Sequence, residues 1–201
     1  MTVIQDYPEE WPVVATKEHF QGRVFGVRTD SVVMPGDEVA DRDYTTHIGS
    51  VAVVALDEAG RVLLLRQYRH AVRHQLWELP AGLRDVDGEP LLDTAARELA
   101  EEAGLQAREW HTLVDLMSSP GMTSERIRVF LARDVSTVEI DFVRRHEESD
   151  MPVEWIPLEE AARRVLDGMI HNSPAVAGIL AAYAASAGGF ASLRPADAPE
   201  A

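Results

Sequence analysis

The chain has 201 residues, enough for one domain of ordinary size plus a small addition, with a core that needs no disulfide or structural metal. Hydrophobic residues make up 46% and charged residues 26%, a globular composition that excludes a disordered chain. Acids outnumber bases 34 to 19, and the net charge of −15 repels phosphate backbones and anionic lipids, which argues against nucleic-acid and membrane partners.

In chain order, residues 1–17 read as frayed, with Pro8 and Pro12 among acids. Residues 20–33 alternate well enough for strands and end at a turn, Met34-Pro35-Gly36-Asp37. A polar strand follows over 39–47, then a buried-strand run from Val51 to Leu56. Asp57-Glu58-Ala59-Gly60 makes a hairpin to Val62-Leu63-Leu64-Leu65. Leu76 to Gly82 is a short strand ending in a turn. The spacing of Leu92, Ala95, Ala96, Leu99 and Ala103 predicts a helix over 90–103, closed by Gly104 as a left-handed cap. Strands are expected at 113–117, 127–131 and 153–155, and helices at 158–166 and 174–185, the last capped by Ser173 and Pro174. The Pro/Ala/acid end, from Arg194, is expected to be disordered.

Cysteine is absent, which excludes a disulfide scaffold, a thiolate zinc site and a cysteine nucleophile. The acidic start reads as no signal peptide, and the uncharged run 170–190 reads as a capped helix in place of a membrane span, so a cytoplasmic setting is expected. All bases but Lys17 are arginines, so any anion site must use guanidinium groups.

The densest chemistry lies on the helix of residues 90–103. Glu98 and Glu102 are four apart and Glu101 is three from Glu98, so their carboxylates meet on one face. That face is centred roughly 120° from the apolar stripe and is expected to point out of the core. Such a cluster is either a solvated face with an Arg97–Glu101 pair or an oxygen site for a hard divalent cation such as Mg²⁺. Upstream, residues 61–74 carry four Arg and two His and no acid, a local positive stretch in which Arg69 could bind an anion in bidentate fashion.

The segment from Gly82 to Leu105 resembles the Nudix box. Glu89, seven residues, then Arg97-Glu98-Leu99-Ala100-Glu101-Glu102-Ala103-Gly104-Leu105 match every fixed position of its second part. The one departure is the loop between Gly82 and Glu89, with six intervening residues where the box has five. Leu76-Trp77-Glu78-Leu79-Pro80-Ala81-Gly82 and Pro120, sixteen residues after Gly104, make the chain similar to the ADP-ribose pyrophosphatase subgroup.

The resemblance implies an α+β Nudix fold, a mixed β-sheet sandwiched between α-helices, over 49–189. A small N-terminal β-region, 1–48, would serve dimerisation, and a tail, 190–201, would be disordered. It implies Mg²⁺-dependent hydrolysis of ADP-ribose to AMP and ribose 5-phosphate, with Mn²⁺ as an alternative and more than one ion bound. Glu98, Glu101, Glu102 and the backbone carbonyl of Ala81 would hold metal, while Gly82, Glu89 and Arg97 would be structural. The general base is expected at Glu148, with Glu147 second. Arg69 would bind the diphosphate, and Phe25 and Arg42 the adenine across a homodimer. Other readings are the same chemistry on a nucleotide sugar or dinucleoside polyphosphate, and a sensor that binds such ligands without turnover.

Overall fold

The computed structural model describes residues 4–139 and 151–200. Eleven strands form three sheets among the described residues. The first is antiparallel: β1 (Val13–Gln21), β2 (Phe25–Val33) and β3 (Val39–His47) in sequence order. The chain then supplies β4 (Ser50–Ala55), β5 (Arg61–Arg69), β6 (His74–Glu78) and β7 (Ala81–Leu83) before helix α1 (Leu91–Ala103). Next come β8 (Leu105–Met117), β9 (Arg126–Thr137), β10 (Val153–Pro157), α2 (Leu158–Leu166), α3 (Ser173–Ser186) and β11 (Arg194–Pro195).

The central sheet has the order β11-β8-β9-β4-β7, and β10-β5-β6 forms a second sheet beside it. β4 and β9 run parallel while the other pairs are antiparallel, so the sheet is mixed. The unbroken apolar run of β4 is explained by burial on both faces: residues 51–55 are all fully buried. Alternation along β5 divides the core in two. Leu63 and Leu65 pack with Ala95 and Leu99 of α1, whereas Val62 and Leu64 pack toward α2 and α3. Helices therefore cover both faces, the sandwich expected from the sequence.

Helix α1 ends at Gly104 in the left-handed region (φ 64°), and Leu105 enters β8 directly. That sharp reversal sets α1 back along the sheet. Three expectations need correction. Residues 13–17 are not frayed but belong to β1, because β2 offers them a ladder that local propensity does not reveal. The cap of α3 is Asn172, whose side chain accepts from the Ala175 N–H, in place of Ser173, which is already inside the helix.

The third concerns the C-terminal tail, whose residues 194–199 lie against the central sheet. β11 pairs with His111 and Thr112 of β8. Arg128 of β9 is only 3% exposed; it binds Asp115 through two bonds (2.7 and 3.1 Å) and the Ala198 and Pro199 carbonyls at 2.5 and 2.9 Å. A buried guanidinium needs acceptors for its N–H groups, and Asp115 and the tail carbonyls supply four of these bonds. None of the described helices is long and apolar enough to cross a membrane.

Candidate functional site

The site is built where α1 meets the β6–β7 turn. Glu98, Glu101 and Glu102 do not point to open solvent, contrary to the helical-wheel expectation. Glu102 is buried, and its Oε2 accepts from the Ala81 N–H at 2.8 Å. Glu98, with 13% of its side chain exposed, lies on Gly82: a Cβ there would sit 1.9 Å from Glu98 Cδ. Glycine is required at 82 because the carboxylate occupies the space of a side chain. The backbone of β7 thus turns a face that is polar by sequence into a packed contact.

Arg97 organises the neighbourhood. Its Nε and Nη2 donate to the two oxygens of Glu89 at 3.2 and 3.0 Å, and its Nη1 donates to Glu98 Oε1 at 2.7 Å. Glu101 lies 3.5 Å away and Asp85 3.8 Å away. Thr94, buried in α1, donates to Glu89 as well at 2.9 Å. These bonds, chiefly from Arg97, hold the Glu89 carboxyl below the ordinary range and raise the guanidinium of Arg97. Burial pushes Glu98 up to about 7, more than Arg97 pulls it down. The extra residue of the loop is accommodated between β7 and α1, where Gly88 adopts φ 77° with open space around it.

The donor set of Glu98, Glu101 and Glu102 is all oxygen, the chemistry a hard divalent cation takes. Among the described residues no three His, Asp or Glu side chains gather closely enough to hold a metal by themselves. A cation at this turn would need backbone or substrate oxygens in addition.

Arg69, at the end of β5, donates through Nε and Nη2 to both oxygens of Glu78 at 2.9 and 2.8 Å. Sequence reading missed Glu78, although an acid inside the apolar run Leu76–Leu79 was a visible signal. Two other arginines of the acid-free stretch are also engaged: Arg61 binds Asp57, and Arg66 stacks over Trp77. Phe25 is half exposed and rests on Phe20. Arg42 donates to the Asp41 carbonyl and to Met34. Phe25 faces His47 across β2–β3 while Arg42 faces Asp30, about 17 Å further along, so one chain does not bring these two together. The loop holding Pro120 is stitched to β3: Thr45 donates to the Met122 carbonyl, and Ser124 donates to the Thr45 carbonyl. Glu147 and Glu148 lie outside the described residues. A separate open cleft, between Asp57, Arg133, Tyr183 and Phe190, contains none of the box residues.

Comparison with known proteins matches residues 46–176 to the model of the NUDIX domain. An ADP-ribose pyrophosphatase of Mycobacterium tuberculosis is 48% identical over 191 residues, 94% of this chain and 90% of the relative. The methanol dehydrogenase activator of Bacillus methanolicus is 29% identical over 167 residues, 83% of this chain and 89% of the relative. A crystal structure of an ADP compounds hydrolase superposes with a TM-score of 0.75 at 18% identity, covering 92% of this chain and 98% of the other, which shows the shared fold.

Proposed function

The chain belongs to the NUDIX domain family, and from that premise we propose that it hydrolyses the diphosphate bond of ADP-ribose to AMP and ribose 5-phosphate. The observation that carries this reading is the seating of the box carboxylates Glu98 and Glu102 on the Ala81–Gly82 backbone. The 48% identity to the ADP-ribose pyrophosphatase supports the choice of substrate.

Glu98, Glu101, Glu102 and the Ala81 carbonyl would hold a divalent cation, Mg²⁺ or Mn²⁺, in more than one position. Bound there, the cation would supply charge neutralisation on the phosphoryl oxygens and a water of lowered pKa. Arg97 holds the carboxylate of Glu98 and ties the loop through Glu89. Arg69 binds a diphosphate oxygen with its fixed, half-exposed guanidinium. Glu148, with Glu147 second, takes the proton of the attacking water.

Residues 1–48 serve dimerisation in this reading. Val13, Phe20, Phe25 and Val39 leave the first sheet with exposed apolar side chains in a single chain, which supports a covering second copy. Phe25 and Arg42 then reach adenine from two copies. Light scattering on the purified protein checks this, and a monomer at every concentration would reject it. A cytoplasmic setting completes the proposal.

The test of function is product analysis after incubation with ADP-ribose and Mg²⁺ in ¹⁸O-labelled water. AMP and ribose 5-phosphate are expected, with label on one of them. No turnover, or a clear preference for a sugar nucleotide without adenine, would overturn the reading.

A further inference from the structure

Arg69 is in the wrong place to serve a site at Ala81 unless something redirects it. On the β5–β6 ribbon it faces His74, at the hairpin end, while Leu65 faces Glu78 at the other end. Four residues of strand, about 13 Å, separate the two ends. Paired and alternate positions put Leu65, Gln67, Arg69, His74, Leu76 and Glu78 on one face. That face is the α1 side, because Leu65 packs with Ala95 and Leu99. The guanidinium spans the gap by folding back along the ribbon to Glu78, whose side chain is only 5% exposed against 47% for Arg69. Glu78 is three residues before Ala81, so the folded-back head group is drawn toward the turn on which Glu98 and Glu102 rest.

We propose that Glu78 is the positioning residue for Arg69: its buried carboxylate accepts the two-pronged bond that holds the guanidinium plane on the α1 side, where it meets the substrate diphosphate. The inference rests on the reading of Arg69 as a diphosphate contact. A buried carboxylate also makes the orientation rigid, since both oxygens are committed to one partner in a place where water cannot substitute. Without it the long side chain would regain its rotamers and leave the site for solvent.

The test is a double-mutant cycle read by both kinetics and thermal unfolding. Parent, Glu78→Gln, Arg69→Ala and the double variant are assayed with ADP-ribose and Mg²⁺. Glu78→Gln and Arg69→Ala are each expected to lower kcat/KM by about 10-fold to 100-fold, mainly through KM. The double variant is expected to be no worse than Arg69→Ala, since Glu78 acts only through Arg69. Stability should behave oppositely. Arg69→Ala strands a buried carboxylate and lowers Tm, and adding Glu78→Gln restores Tm without restoring activity. A purely structural role would not separate the two readouts in this way. Should Arg69→Ala fail to fold, Arg69→Lys keeps the charge and removes the two-pronged bond. Glu78→Gln with kcat/KM within twofold of the parent, or with a full multiplicative loss on top of Arg69→Ala, overturns the assignment of Glu78. Parent-like activity in Arg69→Ala overturns the reading of Arg69 itself and this inference with it.

Discussion

Strands β1 and β4 are both hydrogen-bonded members of sheets, yet every residue of β1 is exposed while residues 51–55 of β4 are fully buried. Ladder bonds exchange with water and contribute about 1 kcal/mol each, whereas burying a Val or Leu side chain contributes about 1.5–3 kcal/mol. The first sheet is therefore shaped by pairing and the central sheet is stabilised by packing. The carboxylates of the proposed site belong to the packed region, where burial raises the pKa of Glu98. The first sheet leaves apolar side chains such as Phe20 and Phe25 exposed in the single chain.

The largest contrast should come from truncating the core. Phe130→Ala, at a fully buried ring touching Trp110, is expected to cost about 3–5 kcal/mol in urea unfolding. A loss below about 1 kcal/mol would dissolve the distinction between the two regions. Next is Glu98, a carboxylate of the proposed metal site. Glu98→Gln is expected to lower kcat about 100-fold to 1000-fold while Tm stays level or rises, and an unchanged kcat would remove Glu98 from the metal assignment.

Titration of Glu98 sharpens the same point. Its carboxyl is pushed up to about 7 from an ordinary 4.5, so the folded protein holds this proton more firmly than the unfolded chain does. That contribution is fully present below about pH 4.5 and is lost as pH rises through about 7, at most about 3 kcal/mol in metal-free protein. Unfolding free energies measured with chelator across this range should fall in the parent and stay flatter in Glu98→Gln. Parallel curves would show that burial does not set the charge of Glu98.

The smallest effect is expected in the first sheet. Phe20 is half exposed, so Phe20→Ala should cost about 0.5 kcal/mol or less in dilute protein. A loss of about 2 kcal/mol that grows with protein concentration would mean that a second copy already covers this sheet.

Much of this was legible in the chain. The stripe from Leu92 to Ala103 placed α1, Gly104 ended it, and the Glu98–Glu102 spacing placed the acids on one face. These are local facts, decided within a few residues of each other. The direction of that face was not legible, because Ala81 and Gly82 reach it only through the pairing of β7 with β4. Nor was the partner of Arg69, which lies nine residues away across a hairpin. The position of the tail was hidden for the same reason: its hold is Arg128, seventy residues upstream.

The sequence by itself determined the family, the box helix and the chemistry of its donors, since these reside in residue type and spacing along one element. Only the tertiary structure decided that Glu98 is buried against a glycine, that Glu78 draws Arg69 back from the hairpin end, and that the last residues are pinned to the sheet. Each of those outcomes is a contact between distant segments, and its energy depends on what water is excluded when they meet.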